Sequence, residues 1–244
     1  EVSREAADLI LMDDNFSTIV DTIRDGRRIY DNIRKAVGYV FSIHIPIALA
    51  SLLAPLLGIA PASLLLLPLH VVLLELVIDP TCSIVLEKQP AEPDIMERKP
   101  RNPYEKLLTF NRVLKSVVQG LVIFAASFLT YYTVLGDHPD NAPVARSMGL
   151  AVIMLANLFL VQENSSDKEF IFRSFRFLFK EKVIWMINLF TVGGLLVILY
   201  SPLNSFLKLA PLTAGQLLFT FLLSLASVIW YEFVKLFCRL KHRN

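Results

Sequence analysis

The chain has 244 residues, of which 55% are hydrophobic and 19% charged, and its formal net charge is +2. Soluble domains usually contain about 45–50% apolar residues, and here the charges are clustered so that long uncharged stretches remain. This composition excludes an ordinary soluble domain and predicts an all-α polytopic membrane protein. Membrane topology accounts for the basic residues, so we expect no nucleic-acid partner.

Residues 1–35 do not have the composition of a membrane span. The segment Asp8–Met12 predicts a short buried strand, and Asn15 then suits the N-cap of a helix. From Phe16 onwards, apolar residues recur near helical spacing with basic residues on the other face, which predicts one long helix entering the membrane near Ala36. We therefore expect a short remnant of a cytosolic α/β domain. Since the chain does not begin with Met, we also expect it to be a segment of a longer protein.

Six apolar spans follow, at about 36–57, 63–85, 113–135, 145–162, 183–200 and 214–237. Their lengths suit a bilayer core, which takes about 20 helical residues. Of the 24 Lys and Arg residues, only Arg146 and Lys208 lie on the side of the loops that follow the first, third and fifth spans. The positive-inside rule then predicts that both termini are cytoplasmic. We expect an integral, multi-pass protein of the plasma (inner) membrane, with the lipid bilayer as its first partner.

The second span contains two carboxylates and a proline. An acidic residue near the middle of a membrane helix costs about 2.5–3.5 kcal/mol, yet Glu75 and Asp79 lie four residues apart and therefore on one helical face. Pro80 has no N–H, so the carbonyl of Leu76 loses its helical partner. Such an oxygen-rich site suits a hard cation. The alternative is a pair of protonated or paired acids at a helix interface.

The first span contains His44 and Pro46, and the proline should free the carbonyl of Ser42 and bend the helix. His44 either bonds to a neighbouring helix or serves as a ligand or proton acceptor beside the carboxylates. Asn157 and Gln162 in the fourth span have the same two interpretations, lining the site or joining helices by hydrogen bonds.

Three cytosolic segments carry a family resemblance. Glu5–Phe16 looks like the end of a phosphorylation domain, Gly26–Ile33 like the stalk that leads into a fifth membrane helix, and Asp94–Arg101 like the loop between a sixth and a seventh helix. In this order and spacing they resemble the C-terminal half of P-type cation-transporting ATPases, in the calcium-pump-like (P2) branch. The resemblance implies that residues 1–35 are the end of the phosphorylation domain with the stalk, and that residues 36–244 form helices five to ten.

The resemblance also implies a set of cation ligands, namely Glu75 and Asp79 in helix six, His44 in helix five and Glu163 in helix eight. Two departures from two-site calcium pumps are visible: Ile78 replaces a hydroxyl ligand, and Ile47 falls where those pumps have a carboxylate. These departures leave two alternatives, a site for a single cation or a proton-coupled site. Ca²⁺ is favoured as the transported cation, with Mn²⁺, Mg²⁺, Na⁺ and H⁺ as alternatives.

Several motifs of the family are absent from the chain. It has neither the Asp-Lys-Thr-Gly-Thr phosphorylation motif nor the Thr-Gly-Glu-Ser dephosphorylation motif. The implied partner is thus an N-terminal half with the actuator, the nucleotide-binding domain and helices one to four, and only the complete parent would use ATP and Mg²⁺. We expect the chain alone to be inactive as an ATPase. The alternatives are a self-standing channel, secondary transporter or regulatory subunit, or a functionless gene fragment.

Overall fold

A computed structural model describes residues 5–8, 10–12, 15–102, 104, 106–165 and 182–243, without the side chains of residue 183 and residues 237–243. Its regular elements are all helical: α1 (Phe16–Leu56), α2 (Pro68–Pro80), α3 (Phe110–Leu135), α4 (Ala142–Asn164), α5 (Lys182–Tyr200) and α6 (Ala214–Arg243). Five of the described segments are long and apolar enough to cross a membrane, and Ile184–Tyr200 is a shorter apolar helix. The predicted class, an all-α polytopic membrane protein, is confirmed.

Helix α1 runs without interruption for 41 residues. The side chain of Asn15 caps it, because its Oδ1 accepts a hydrogen bond of 3.0 Å from the backbone N–H of Ser17. The first part of α1, Phe16–Lys35, is called the stalk below, and the end of the bundle from which it projects is called the stalk end. The apolar span from Ala36 continues the same helix, as the sequence predicted.

The strand predicted at Asp8–Met12 is wrong. Within the described part of this segment no strand is present, and Ile10 and Met12 are 44% and 88% exposed. A strand needs a neighbouring strand to pair its N–H and C=O groups, and no strand is present among the described residues. A short apolar run therefore does not suffice here to form the predicted element.

Helix α2 changes its geometry within the predicted second span. A single 3₁₀ turn at Pro61–Ser63 precedes it, and after Pro80 the chain continues as a π-helix over Thr81–Leu86. Because Pro80 lacks the N–H that the preceding turn requires, the regular α pattern ends at this residue. A π segment inside a helix often marks a functional position.

Small residues bring the helices of the bundle close together. A Cβ atom on Gly120 of α3 would lie only 2.7 Å from the carbonyl oxygen of Ser42 in α1. The hydroxyl of Ser127 in α3 donates a 2.8 Å hydrogen bond to the carbonyl of Gly149 in α4. Helix α4 is buried along nearly its whole length and forms the centre of the bundle. Close backbone contact of this kind is typical of helix packing in membranes.

The end opposite the stalk is held together by Arg146. This side chain is only 1% exposed. Its guanidinium donates hydrogen bonds to the backbone carbonyls of Leu64 (2.9 Å), Ala62 (2.8 Å) and Lys208. His70 supports the same region by donating from Nε2 to the carbonyl of Leu207 at 2.7 Å, so its role is structural. Burial within the protein explains why Arg146 departs from the charge bias of the loops.

Candidate cation-binding site

His44 of α1 and Glu75 of α2 meet in the interior of the predicted spans. The Nε2 atom of His44 lies 3.1 Å from Oε1 of Glu75. The Nδ1 atom lies 2.8 Å from the carbonyl oxygen of Val40, and since a carbonyl only accepts, Nδ1 carries a proton. Nε2 is therefore the ring nitrogen that faces the carboxyl group of Glu75.

Asp79 lies one turn beyond Glu75 on the same helix, where it is exposed and not enclosed by the described residues. Two hydroxyls are already bonded in this turn, since Thr81 donates to the carbonyl of Val77 and Ser83 to that of Asp79, each at 2.7 Å. These bonds satisfy backbone groups next to the change from α- to π-helix. The carboxylates of Glu75 and Asp79 thus lie beside an irregular stretch of backbone.

The side chains of His44 and Glu75 are 43% and 36% exposed, so this side of the bundle is only partly covered by the chain. Within the part of the chain that the structure describes, no three His, Cys, Asp or Glu side chains gather in a way that could hold a metal ion. Of the four ligands implied by the resemblance, the structure brings His44 and Glu75 into contact. Asp79 lies adjacent to them along α2.

Glu163 lies elsewhere, at the stalk end of α4, and is fully buried among cationic and amide groups. Its Oε1 is 2.9 Å from Nζ of Lys235 and 3.4 Å from Nζ of Lys115. Its Oε2 accepts a hydrogen bond of 2.6 Å from Nε2 of Gln119. Both carboxylate oxygens are therefore engaged by the protein itself. A buried carboxylate is tolerated only with such partners.

The partners of Glu163 are only weakly indicated by the sequence. Lys235 and Glu232 of α6 form an i, i+3 pair at 3.0 Å, and their side chains are only 9% and 11% exposed. Lys115 stood inside the start of the third span, where an isolated charge requires a partner. Neither position indicated Glu163, because the three residues lie on three different helices.

The two amides of α4 that were candidates for the site differ in their contacts. Asn157 accepts a hydrogen bond from the hydroxyl of the buried Tyr39 and so joins α4 to α1. The Oε1 atom of Gln162 is buried without a hydrogen-bond partner among the described residues. Asn157 therefore has the interhelical role that the sequence left open.

The stalk is attached to the loop that follows α2. Asn32 donates to the carbonyls of Glu87 and Gln89 at 3.0 and 2.9 Å. Lys35 pairs with Glu92 at 2.8 Å, and these two side chains are 4% and 5% exposed. Helix α1, which carries His44, and the loop that follows the helix of Glu75 are thus fixed to each other outside the predicted membrane core.

Among the described residues, five long apolar helices and a shorter one, with charged and imidazole side chains paired between them, define an integral, multi-pass helical membrane protein. Residues 63–237 match the family model described as cation transporting ATPase, C-terminus. The chain therefore belongs to this family and corresponds to the C-terminal part of P-type cation-transporting ATPases, which confirms the resemblance.

Three relatives illustrate the similarity. The chain is 32% identical over 225 residues to a calcium-transporting ATPase of Bacillus subtilis (strain 168), covering 88% of this chain and 24% of that protein. It is 29% identical over 260 residues to calcium-transporting ATPase 1 of Bacillus cereus, covering 97% of this chain and 28% of the relative. It is also 36% identical over 143 residues to the human sodium/potassium-transporting ATPase subunit alpha-4, covering 57% of this chain and 13% of the subunit. The chain thus spans about a quarter of the length of its calcium-transporting relatives.

Proposed function

We propose that the chain is the membrane half of an ATP-driven P-type cation pump and supplies part of its intramembrane cation site. The observation that carries the proposal is the contact of 3.1 Å between His44 and Glu75 in the membrane interior. Intramembrane ionisable residues usually mark ion pathways. The side chains of this pair are 43% and 36% exposed, which leaves room for further ligands from helices one to four of the complete pump.

The chemistry of the site suits one hard cation. Glu75 and Asp79 offer carboxylate oxygens, and the turn before Pro80 offers a backbone carbonyl, which are the ligands that Ca²⁺ prefers. Ca²⁺ is the first candidate because two of the relatives carry it in their names. Ile47 and Ile78 are apolar and 6% and 2% exposed, which supports a single cation rather than two.

For Glu163, the proposed role differs from that of a cation ligand. The resemblance implies that it is a cation ligand, but Lys115 and Lys235 already hold its Oε1 and Gln119 holds its Oε2. We propose that these ammonium groups take the place of a transported cation at Glu163. His44, Glu75 and Asp79 then remain as this chain's contribution to the transport site.

The stalk is the proposed mechanical link between phosphorylation and the site. It is continuous with the helix that carries His44, so tilting one rigid helix would move a ligand against Glu75. ATP and Mg²⁺ belong to the other half of the pump. The proposed location is the plasma (inner) membrane with both termini cytoplasmic, and the distribution of Lys and Arg supports this orientation of the termini.

The site is tested in the complete pump by comparing Glu75→Gln and Asp79→Asn with the exposed loop variant Glu97→Gln. Loss of a charged ligand should raise the half-saturating cation concentration for ATP hydrolysis by about tenfold or more. The measurement is a screen of ATPase activity against Ca²⁺, Mn²⁺, Mg²⁺ and Na⁺, with uptake into inside-out vesicles. Wild-type cation dependence in both site variants would refute the assignment.

The coupling role is tested by inserting two glycines next to Gly38, where the stalk enters the membrane. A flexible joint there should leave ATP hydrolysis running with little transport. A matched insertion beside Gly136, in the short loop between α3 and the following 3₁₀ turn, serves as the control. An unchanged ratio of transport to hydrolysis after the Gly38 insertion argues against the stalk as the link. Ion flux through liposomes that contain this chain alone would instead favour a self-standing channel or transporter.

A further inference from the structure

A cavity of about 560 Å³ lies between the stalk and the loop after α2, away from the proposed cation site. Its polar lining is dominated by positive charge. The cationic side chains are Arg27, Arg34, Arg98, Lys99 and Arg101, and among the described lining residues the one carboxylate is that of Asp31. No element of the proposed transport cycle uses this cluster.

Most of this positive charge is not neutralised within the described part of the chain. Arg98 pairs with Asp31 at 2.5 Å and with Asp94 at 2.8 Å. Arg27, in contrast, donates to two uncharged acceptors, the carbonyls of Ile95 at 2.7 Å and Arg98 at 3.0 Å. The charge of Arg27 therefore remains available to a ligand.

Two of the remaining cationic side chains lie close to the ring of Tyr30. The guanidinium carbons of Arg101 and Arg34 lie 4.2 and 5.5 Å from the centroid of its ring. The hydroxyl of Tyr30 and the Nε atom of Arg34 are both buried, and neither has a hydrogen-bond partner among the described residues. Two buried donors without an acceptor, next to like charges, favour an anion with several oxygens.

The position of the cavity along α1 narrows the class of ligand. Arg34 lies two residues, or about 3 Å, before the apolar span that begins at Ala36, and Tyr30 lies about 9 Å before it. The polar layer on each side of a bilayer core is about 5–7 Å thick. Arg34 is therefore at the depth of lipid headgroups, and Tyr30 is close to that layer.

We propose that this cavity binds a phosphate-bearing anion through Arg34, Tyr30 and Arg101. The phosphate oxygens accept hydrogen bonds from Nε of Arg34 and from the hydroxyl of Tyr30, while the guanidinium of Arg101 balances their charge. A bound phosphate then joins the stalk to the loop by a contact that the protein alone does not make. A lipid headgroup and a soluble phosphate share this chemistry, so the experiment has one arm for each.

The experiment uses the full chain in lipid nanodiscs. In the first arm, phosphatidylglycerol is titrated into phosphatidylcholine discs and the lipid that stays bound is counted by native mass spectrometry. In the second arm, inorganic phosphate is titrated by calorimetry into discs of phosphatidylcholine alone. Binding in the first arm identifies the lipid headgroup as the source, and binding in the second identifies soluble phosphate.

Three variants decide between a site and general attraction of anions. Arg34→Gln should weaken binding about tenfold and Tyr30→Phe roughly threefold, since each removes a donor to a charged acceptor. Tyr30→Phe removes one oxygen and keeps the ring beneath Arg101, so it tests the site without disturbing the fold. The control is Arg24→Gln, on the exposed stalk surface, where Arg24 lies 3.7 Å from Asp21. Equal binding by Arg34→Gln and Arg24→Gln, or no binding by the wild type in either arm, would overturn the proposal.

Discussion

Lys35 of the stalk and Glu92 of the loop after α2 form an ion pair of 2.8 Å that is almost completely buried. The ammonium group of Lys35 also donates to the carbonyl of Ser165 at 2.9 Å, which lies directly after α4. One side chain thereby joins three parts of the chain at the point where the stalk meets the bundle. A buried charge of this kind depends strongly on its partner.

Replacing Glu92 with Gln should therefore destabilise the chain by about 3–5 kcal/mol, because Lys35 stays buried without a counter-charge. The double variant Lys35→Met with Glu92→Gln should recover part of this loss, since it removes both charges. Denaturant unfolding of the purified chain in micelles measures both effects. If Glu92→Gln is no more disruptive than Arg24→Gln on the exposed stalk, the pair has no such role.

Gly120 should not tolerate a methyl group. A Cβ atom at this position would lie 2.7 Å from both the carbonyl oxygen of Ser42 and Cβ of Ile45, so α1 and α3 would have to move apart. We expect Gly120→Ala to cost about 1–3 kcal/mol. Gly193→Ala in α5 is the matched control, because no atom lies within 4 Å of the added Cβ.

The control substitution should be neutral or slightly stabilising, since alanine is favoured over glycine in a helix by up to about 1 kcal/mol. The difference between the two alanine variants is measured as a shift of the unfolding midpoint in the same detergent. Equal unfolding midpoints would show that α1 and α3 can move apart at little cost in free energy, despite the short distances.

Removing the guanidinium of Arg146 should loosen the end of the bundle opposite the stalk. Arg146→Met leaves the carbonyls of Ala62, Leu64 and Lys208 without their donor, at a cost of about 1–3 kcal/mol for each one that stays buried. Arg146→Lys should be intermediate, because one ammonium group cannot reproduce the planar set of donors. Limited proteolysis of the two loops reports the change, with Asp137→Asn as an exposed control on the same side. Protection equal to that of the wild type in Arg146→Met would contradict this role.

The attachment of the loop to the stalk through Arg98 should be insensitive to pH. A hydrogen bond to Asp94, and to a smaller extent one to Asp31, raises the pKa of Arg98 above its ordinary value. A raised pKa means that the stabilisation is complete below the ordinary arginine range and is lost only as the pH rises above it. Hydrogen exchange at residues 94–101 should therefore show the same protection from mildly acidic to mildly alkaline solution, once corrected for intrinsic rates.

The Asp31→Asn substitution should reduce that protection. It removes the charged acceptor 2.5 Å from Nη1 of Arg98 and leaves the contact with Asp94 on the loop itself. Exchange at residues 94–101 should become about five- to tenfold faster, in line with the loss of one charged hydrogen bond at a partly exposed site. Unchanged exchange would assign the attachment to Arg27, Asn32 and the pair of Lys35 with Glu92.

The sequence predicted the membrane helices and the loss of a helical hydrogen bond at Pro80, because hydropathy and the missing N–H of proline are local properties. It also placed His44 and Glu75 in adjacent spans, and their contact agrees with that placement. The strand at Asp8–Met12 could not be judged from its own residues, since its formation depends on partner strands. The lysines around Glu163 and the carbonyls around Arg146 come from separate helices and loops, so only the folded bundle reveals them.

Two contacts described above set the alignment between α1 and the chain of α2. Asn32 holds the carbonyl of Glu87 at the stalk end, and His44 holds Glu75 within the membrane. Asn32 and His44 are twelve residues apart in α1, about 18 Å of α-helix, and Glu75 and Glu87 are also twelve residues apart. The two antiparallel segments are thus joined at two points that are separated by the same number of residues in each segment. Neither segment can slide along the other without breaking both contacts, so a movement of the stalk must carry Glu75 with it or release the pair in one step.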